Sequence, residues 1–485
     1  MLKFIVGGLA LTAAAGCGVT SSTDDQAVKH AGGSINNNVP MPNSTGNAST
    51  FNVNASNIDL TGPFFQSLGT NGRSCGSCHA PEDGWTVIPS HIQQRFDQTG
   101  GTDPIFRTND GSVSPVADVS TVDARRTAYA LLLSKGLIRV SNPVPATADF
   151  TLVADDPYNH ASPADVSTFR RPLQSANLPF LSTVMWDGRE TFAAGSSNVF
   201  GPAPGNHCLH APFPTTKCFA DLDFDLGDQA NGATRGHAQA TMNIALPIDQ
   251  GIVQFEEGLY FGQMDAHGVG GLDVDGATGG PENIASNSPY FGQNDNFGDY
   301  NTGAPFTAKI FDTYDAWAGS NKTGQAAVAR GQAIFNGRTF TIDNVGGLNG
   351  PHDALGLPSS FAGTCGTCHD TPNGGNHSIP APLDIGLVNA DQRTADLPLY
   401  HICRISNPSD CRDVSDPGRG LITGKFNDIG KFKGPTLRGI AARAPYFHNG
   451  SAADFAAVID FYNNRFHANF TDQEKSDLAA FLATL

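Results

Sequence analysis

The sequence predicts a mainly α fold built from two similar units, with long loops and little β structure. Three observations predict it. The hydrophobic periodicity along the chain is helical, with few alternating strand patterns to compete with it. A short cysteine and histidine motif occurs twice, 290 residues apart, each copy preceded by a plausible helix. Finally, 55 Gly and 31 Pro with only 39% hydrophobic residues require a loop-rich chain.

The chain opens with Lys3 and the apolar run "FIVGGLALTAAAG", too short to span a bilayer but suited to the core of an export signal at residues 1–17. The run ends in "AAAGC", which resembles a bacterial lipoprotein box and would make Cys17 the lipidated N-terminus. Ala14 stands where Leu is usual, so ordinary cleavage to a soluble protein is the alternative. Residues 18–55 are dominated by Ser, Asn, Gly and Thr and are expected to form a flexible tether. The remaining chain, about 430 residues, exceeds what one core usually serves and is divided into domains at 56–305 and 306–485. The formal net charge is −17 and no Lys/Arg cluster follows a phosphate backbone, so nucleic acid is not an expected partner. The expected location is the periplasm or cell envelope, with membrane contact only through a lipid on Cys17.

Cys17 aside, the cysteines fall into four close pairs. Cys208/Cys218 and Cys403/Cys411 enclose short polar loops suited to disulfides in an oxidising compartment. Cys75/Cys78 and Cys365/Cys368 are each followed directly by histidine, His79 and His369. A thioredoxin-type pair would need a βαβ context and structural zinc would need four converging soft ligands; neither is present. Haem c attachment needs two thiols for the two vinyl groups and an adjacent imidazole for iron, which Cys-x-x-Cys-His supplies. Two such motifs in one exported chain point to two covalently bound haem c groups, in cytochrome c-like domains, with His79 and His369 as iron ligands. None of the five methionines follows the second motif. The sixth ligand of the second haem is therefore a His, a Tyr, a less common group, a Met from the first half, or absent.

Helices are expected at "GPFFQSLG" and "GQAAVARGQAIFN", ahead of the two motifs. A third carries Phe455, Val458, Ile459, Tyr462 and Phe466 on one stripe behind a Ser451 N-cap. A fourth starts from a Thr471/Glu474 capping box and aligns Leu478, Phe481, Leu482 and Leu485. Residues 265–303 read as a surface loop; its "DVDG" hints at a calcium loop, but Ile284 stands where Glu is needed.

"GKFNDIGKFKGPTLRGIAARAPYFHNGSAADFAAVIDFY", residues 424–462, resembles the C-terminal signature of bacterial di-haem cytochrome c peroxidases and their MauG relatives. "FRRPLQSANLPFLSTVMWDGRE", residues 169–190, resembles their tryptophan-containing segment, and the overall length is closer to MauG-like paralogues. The resemblance implies that Trp186 relays electrons between the haems and that His448 lies near the second haem. It also implies that Tyr462, fourteen residues beyond His448, takes the sixth-ligand position. Gln229 would line the distal side of the first haem. The family's distal Glu falls at Gln239, which cannot act as an acid, leaving His237 and Glu256 as proton-shuttle candidates. His237 lies eight residues beyond Gln229, on roughly the same helix face.

Family members bind calcium between their domains, but here Arg171 replaces the ligating Asn, and the carbonyl positions fall at Arg443 and Pro445. This argues against bound calcium, with Arg171 in its electrostatic role. The implied function is an exported oxidoreductase that reduces hydrogen peroxide, or performs peroxide-driven oxidation, at the first haem. Electrons would come from the second haem, with a small redox protein as donor or acceptor. The alternatives are a haem-dependent oxygenase that uses dioxygen on an organic substrate, and a non-catalytic di-haem electron carrier.

Overall fold

Polar segments form strands in this protein. In the computed structural model, which describes residues 33–192, 196–198, 201–202, 222–351 and 357–485, the strands Met41–Asn43 and Gly46–Asn52 join Leu259–Ala266 and Gly270–Gly271 in a four-stranded antiparallel sheet. The tether expected over residues 18–55 is thus corrected from Gly33 onward. The segment supplies two buried apolar anchors, Ile35 and Met41, and small side chains that pack closely: Ala48, Ser49 and Thr50 are buried, and Thr50 accepts a 2.9 Å hydrogen bond from the Trp85 indole. Asn side chains satisfy its turns, as where Asn43 accepts from the backbone amides of Thr45 and Gly46.

The mainly α expectation is overturned as well. The chain is 29% helix and 19% strand, in several small sheets, which is a mixed composition. In the three-stranded sheet, Phe150–Asp155 from the first half pairs with Leu399–Arg404, which pairs in turn with Asn407–Val414. Cys403 and Cys411 form a disulfide across the latter pair. Cys17, the export signal and Cys208/Cys218 lie outside the described residues. No helix among the described residues is long and apolar enough to cross a membrane.

"GPFFQSLG" forms only the 3-10 turn Pro63–Phe65, because Gly62 and Gly69 bracket it and Gly69 is pressed against the Ala238 carbonyl, where a Cβ would lie 1.9 Å away. The other helices form. Thr323–Gly337 packs against Asp472–Leu482, with Gly331 so close to the Asp477 carbonyl that a side chain is excluded. Asp472–Leu482 has the predicted Thr471/Glu474 capping box. Phe455–Arg465 starts one turn later than expected, capped by Asp454 rather than Ser451. Its Phe455 and Ile459, with Phe311, Phe335 and Phe481, form the core beneath the second motif. The segment 265–303 includes the helix Pro281–Ala285 and the buried residues Leu272, Asn294 and Asp295, so it is partly interior.

Candidate functional site

Each Cys-x-x-Cys-His sequence folds as a 3-10 turn, Cys75–Ser77 and Cys365–Thr367, closed by a reciprocal capping box at Ser74/Ser77 and Thr364/Thr367. Each turn opens onto its own cavity. Cys75, Cys78 and His79 line a cavity of about 170 Å³ together with Gln229, His237, Glu256, Met185 and Trp186. Cys365, Cys368 and His369 line one of about 240 Å³ together with Tyr462, His448, Phe335 and Trp186. The structure thus brings each predicted set together and puts Trp186 on the wall of both cavities.

The chemistry of the turns narrows what they hold. Burial pushes the Cys75, Cys365 and Cys368 thiols up to about 12, the opposite of a reactive redox pair. The cysteines within each motif are unpaired, and neither motif is among the metal-type clusters of the described residues, so zinc ligation has no fourth partner. The histidines are arranged as iron ligands are. His79 Nδ1 lies 2.9 Å from the Trp85 carbonyl and His369 Nδ1 lies 2.5 Å from the Gly375 carbonyl, which leaves Nε2 free for the cavity side. Burial pushes His79 down to about 4, keeping it neutral, the form that ligates metal. Both amide atoms of Gln174 on the first cavity and Nε2 of His448 on the second are buried without hydrogen-bond partners. A haem c in each cavity fits these thiols, imidazoles and unpartnered polar atoms.

His237 does not lie within a helix. The helix Leu222–Gly236 ends one residue earlier, and the His237 amide still bonds the Ala233 carbonyl at 2.7 Å. Its ring faces the cavity that Gln229 also lines, held by a 2.5 Å contact from Nδ1 to Oδ2 of Asp110. Asp110 is buried and also pairs with Arg73. Burial alone would raise its carboxyl, but His237 and Arg73 together hold it below the usual carboxylate range. Sequence reasoning missed Asp110, because "TNDGS" carries only a turn signal.

Glu256 is attached elsewhere. It hydrogen-bonds Ser175, and Ser175 Oγ lies 3.0 Å from His79 Nδ1. The carboxyl thus reaches the His79 ring through Ser175 and also lines the cavity that His237 and Gln229 line. Burial pushes it up to about 7. Through Ser175 it can polarise the His79 imidazole, as an outer partner does for a histidine that ligates metal.

The "MWDGR" segment is fixed by charge. Asp187 is fully buried, bonds Arg170 at 2.6 Å and Arg189 at 3.0 Å, and Arg170 also clamps Asp416. Despite burial, these guanidinium groups hold the Asp187 carboxyl down to about 2. Trp186 donates to the Arg171 carbonyl at 2.8 Å, and its ring lies 6.1 Å from that of His448. Met185 and Phe447, beside these two rings, have φ of 65° and 67°, a strained backbone for non-glycine residues and one that clusters at functional sites. Arg171 donates to the carbonyls of Lys135, Val87 and Arg443 at 2.6, 2.7 and 3.1 Å, so a guanidinium gathers the carbonyls there. Among the described residues no methionine lines the second cavity; Tyr462 and His448 do.

No protein-family model matches the chain. It is 31% identical over 133 residues to the cytochrome-c peroxidase IdrP2 of Denitromonas iodatirespirans, which covers 25% of this chain and 36% of that protein. It is 28% identical over 180 residues to IdrP2 of a Pseudomonas species, covering 32% and 49%. It is 39% identical over 69 residues to the cytochrome c551 peroxidase of Nitrosomonas europaea, covering 14% and 21%. The distant relatives are cytochrome c peroxidases. The chain spans between about a fifth and a half of the length of these curated relatives. A solved MauG-like protein associated with microbial copper homeostasis is 18% identical, with 87% of this chain and 85% of that chain covered, at a TM-score of 0.34.

Proposed function

We propose that the protein is an exported di-haem c oxidoreductase that reduces hydrogen peroxide, or uses it for oxidation, in the cavity of His79. The observation that carries this reading is Trp186, which lines both of the cavities onto which the two Cys-x-x-Cys-His turns open. A haem c bound at each turn supplies redox-active iron. His237, its Nδ1 held by Asp110, takes the proton of the incoming peroxide and returns it to the departing oxygen. Gln229 orients the substrate, and the apolar wall of Leu226, Ala230 and Ile252 excludes water.

Trp186 passes electrons between the cavities, and Tyr462 or His448 would help His369 hold the second haem. A small redox protein is the proposed external partner. Support for export comes from the Cys403–Cys411 disulfide, a bond of oxidising compartments, and from the apolar N-terminal run that precedes Cys17. Support for peroxide as substrate comes from the names of the distant relatives. The test is peroxide consumption with a reduced small redox protein, wild type against His237→Ala. Unchanged turnover in the variant removes His237 from the mechanism, and no consumption by the wild type defeats the peroxidase reading.

A further inference from the structure

Outside both cavities, three buried side chains from two parts of the chain converge behind the second turn. Asp295, Asp370 and His377 are 1, 0 and 4% exposed, and one donor atom from each lies within 4.8 Å of the others. Oδ2 of Asp370 and Nδ1 of His377 form an ion pair at 3.0 Å whose alignment is not that of a hydrogen bond, and neither atom has another hydrogen-bond partner. Two adjacent donors on one cation, with bonds of about 2.1 Å, stand about 3 Å apart without pointing at each other.

The same segment holds three more buried side-chain oxygens without partners, on Thr371, Asn376 and Ser378. Buried polar groups are nearly always satisfied, so this concentration within nine residues indicates a missing partner. The charges acting on Asp295 are those of Asp370 and His377 themselves, so two carboxyl groups face one imidazole.

We propose that Asp295, Asp370 and His377 bind a divalent first-row cation of the zinc or manganese type. The imidazole argues against calcium, which takes oxygen ligands in larger number. The cation would tie the segment 370–378 to Asn294 and Asp295. Asn294 already donates to the Asp370 carbonyl at 3.0 Å, and Gly375 of the tied segment accepts from His369. The site thereby fixes the loop that orients a proposed haem ligand, but its occupancy does not depend on haem.

The test is metal analysis of the full-length protein as purified, and after chelation and titration with zinc or manganese chloride, with iron and haem counted separately. One zinc or manganese per chain is expected, with binding weakened about tenfold or more in both His377→Ala and Asp295→Asn. Asp295 is remote in sequence from the Cys-x-x-Cys-His turn, so its variant spares the haem ligand. Absence of any non-haem metal from the wild type before and after titration overturns the proposal, as does binding unchanged in both variants. If a variant fails to fold, the wild-type stoichiometry still decides.

Discussion

Nδ1 of His237 lies 2.5 Å from Oδ2 of Asp110, whose other oxygen pairs with the buried guanidinium of Arg73. The chain of contacts fixes the imidazole just beyond the end of its helix, on the lining of the cavity of His79. A positioned general acid and base contributes about a hundredfold or more to rate, so His237→Ala should lower peroxide turnover by about that factor. Asp110→Asn, which keeps the ring but loosens its hold, should lose less. Steady-state peroxide consumption checks both.

Trp186 borders both cavities and is held by the Arg171 carbonyl. Trp186→Phe should leave the first reaction with peroxide intact while slowing transfer from the second centre, so that turnover falls about tenfold or more. Stopped-flow spectra with protein reduced at the second centre separate the two steps. A parallel loss in both would make Trp186 a packing residue.

Burial raises Glu256 to about 7. Between the unfolded pKa, about 4.3, and this value the folded state holds a proton that the unfolded state has released, so stability falls as pH rises through that window. The loss is on the order of 3 kcal/mol, and Glu256→Gln should abolish it. Asp187 behaves oppositely: held down to about 2, it stabilises the fold above the ordinary carboxylate pKa and loses this as pH falls through about 2. Asp187→Asn should cost about 3 to 5 kcal/mol, because it leaves a buried guanidinium less compensated. Urea midpoints across the pH range measure each.

Tyr462 and His448 face the same cavity as His369. Tyr462→Phe should change the optical and EPR signature of the second haem if the phenol is its sixth ligand. A spectrum unchanged in Tyr462→Phe and altered in His448→Ala would move the assignment to the imidazole.

The two Cys-x-x-Cys-His turns, Trp186, the last helix with its capping box and the Cys403–Cys411 bridge were legible because each depends on residues close in sequence. The strand Gly46–Asn52 was not, since its stability comes from pairing with Leu259–Ala266 and from small side chains that carry no hydrophobic signal. The link from Glu256 to His79 was hidden for a similar reason: it runs through Ser175, 81 residues earlier. Asp110 and the Asp295, Asp370 and His377 group are brought together only by tertiary folding.

The most direct measurement is the EPR spectrum of the full-length protein before and after one equivalent of peroxide, with covalent haem counted in parallel. Two haem c per chain are expected, with a first centre whose spin state changes with peroxide while the second begins low-spin. A protein without covalent haem, or two low-spin centres that ignore peroxide, would contradict this expectation.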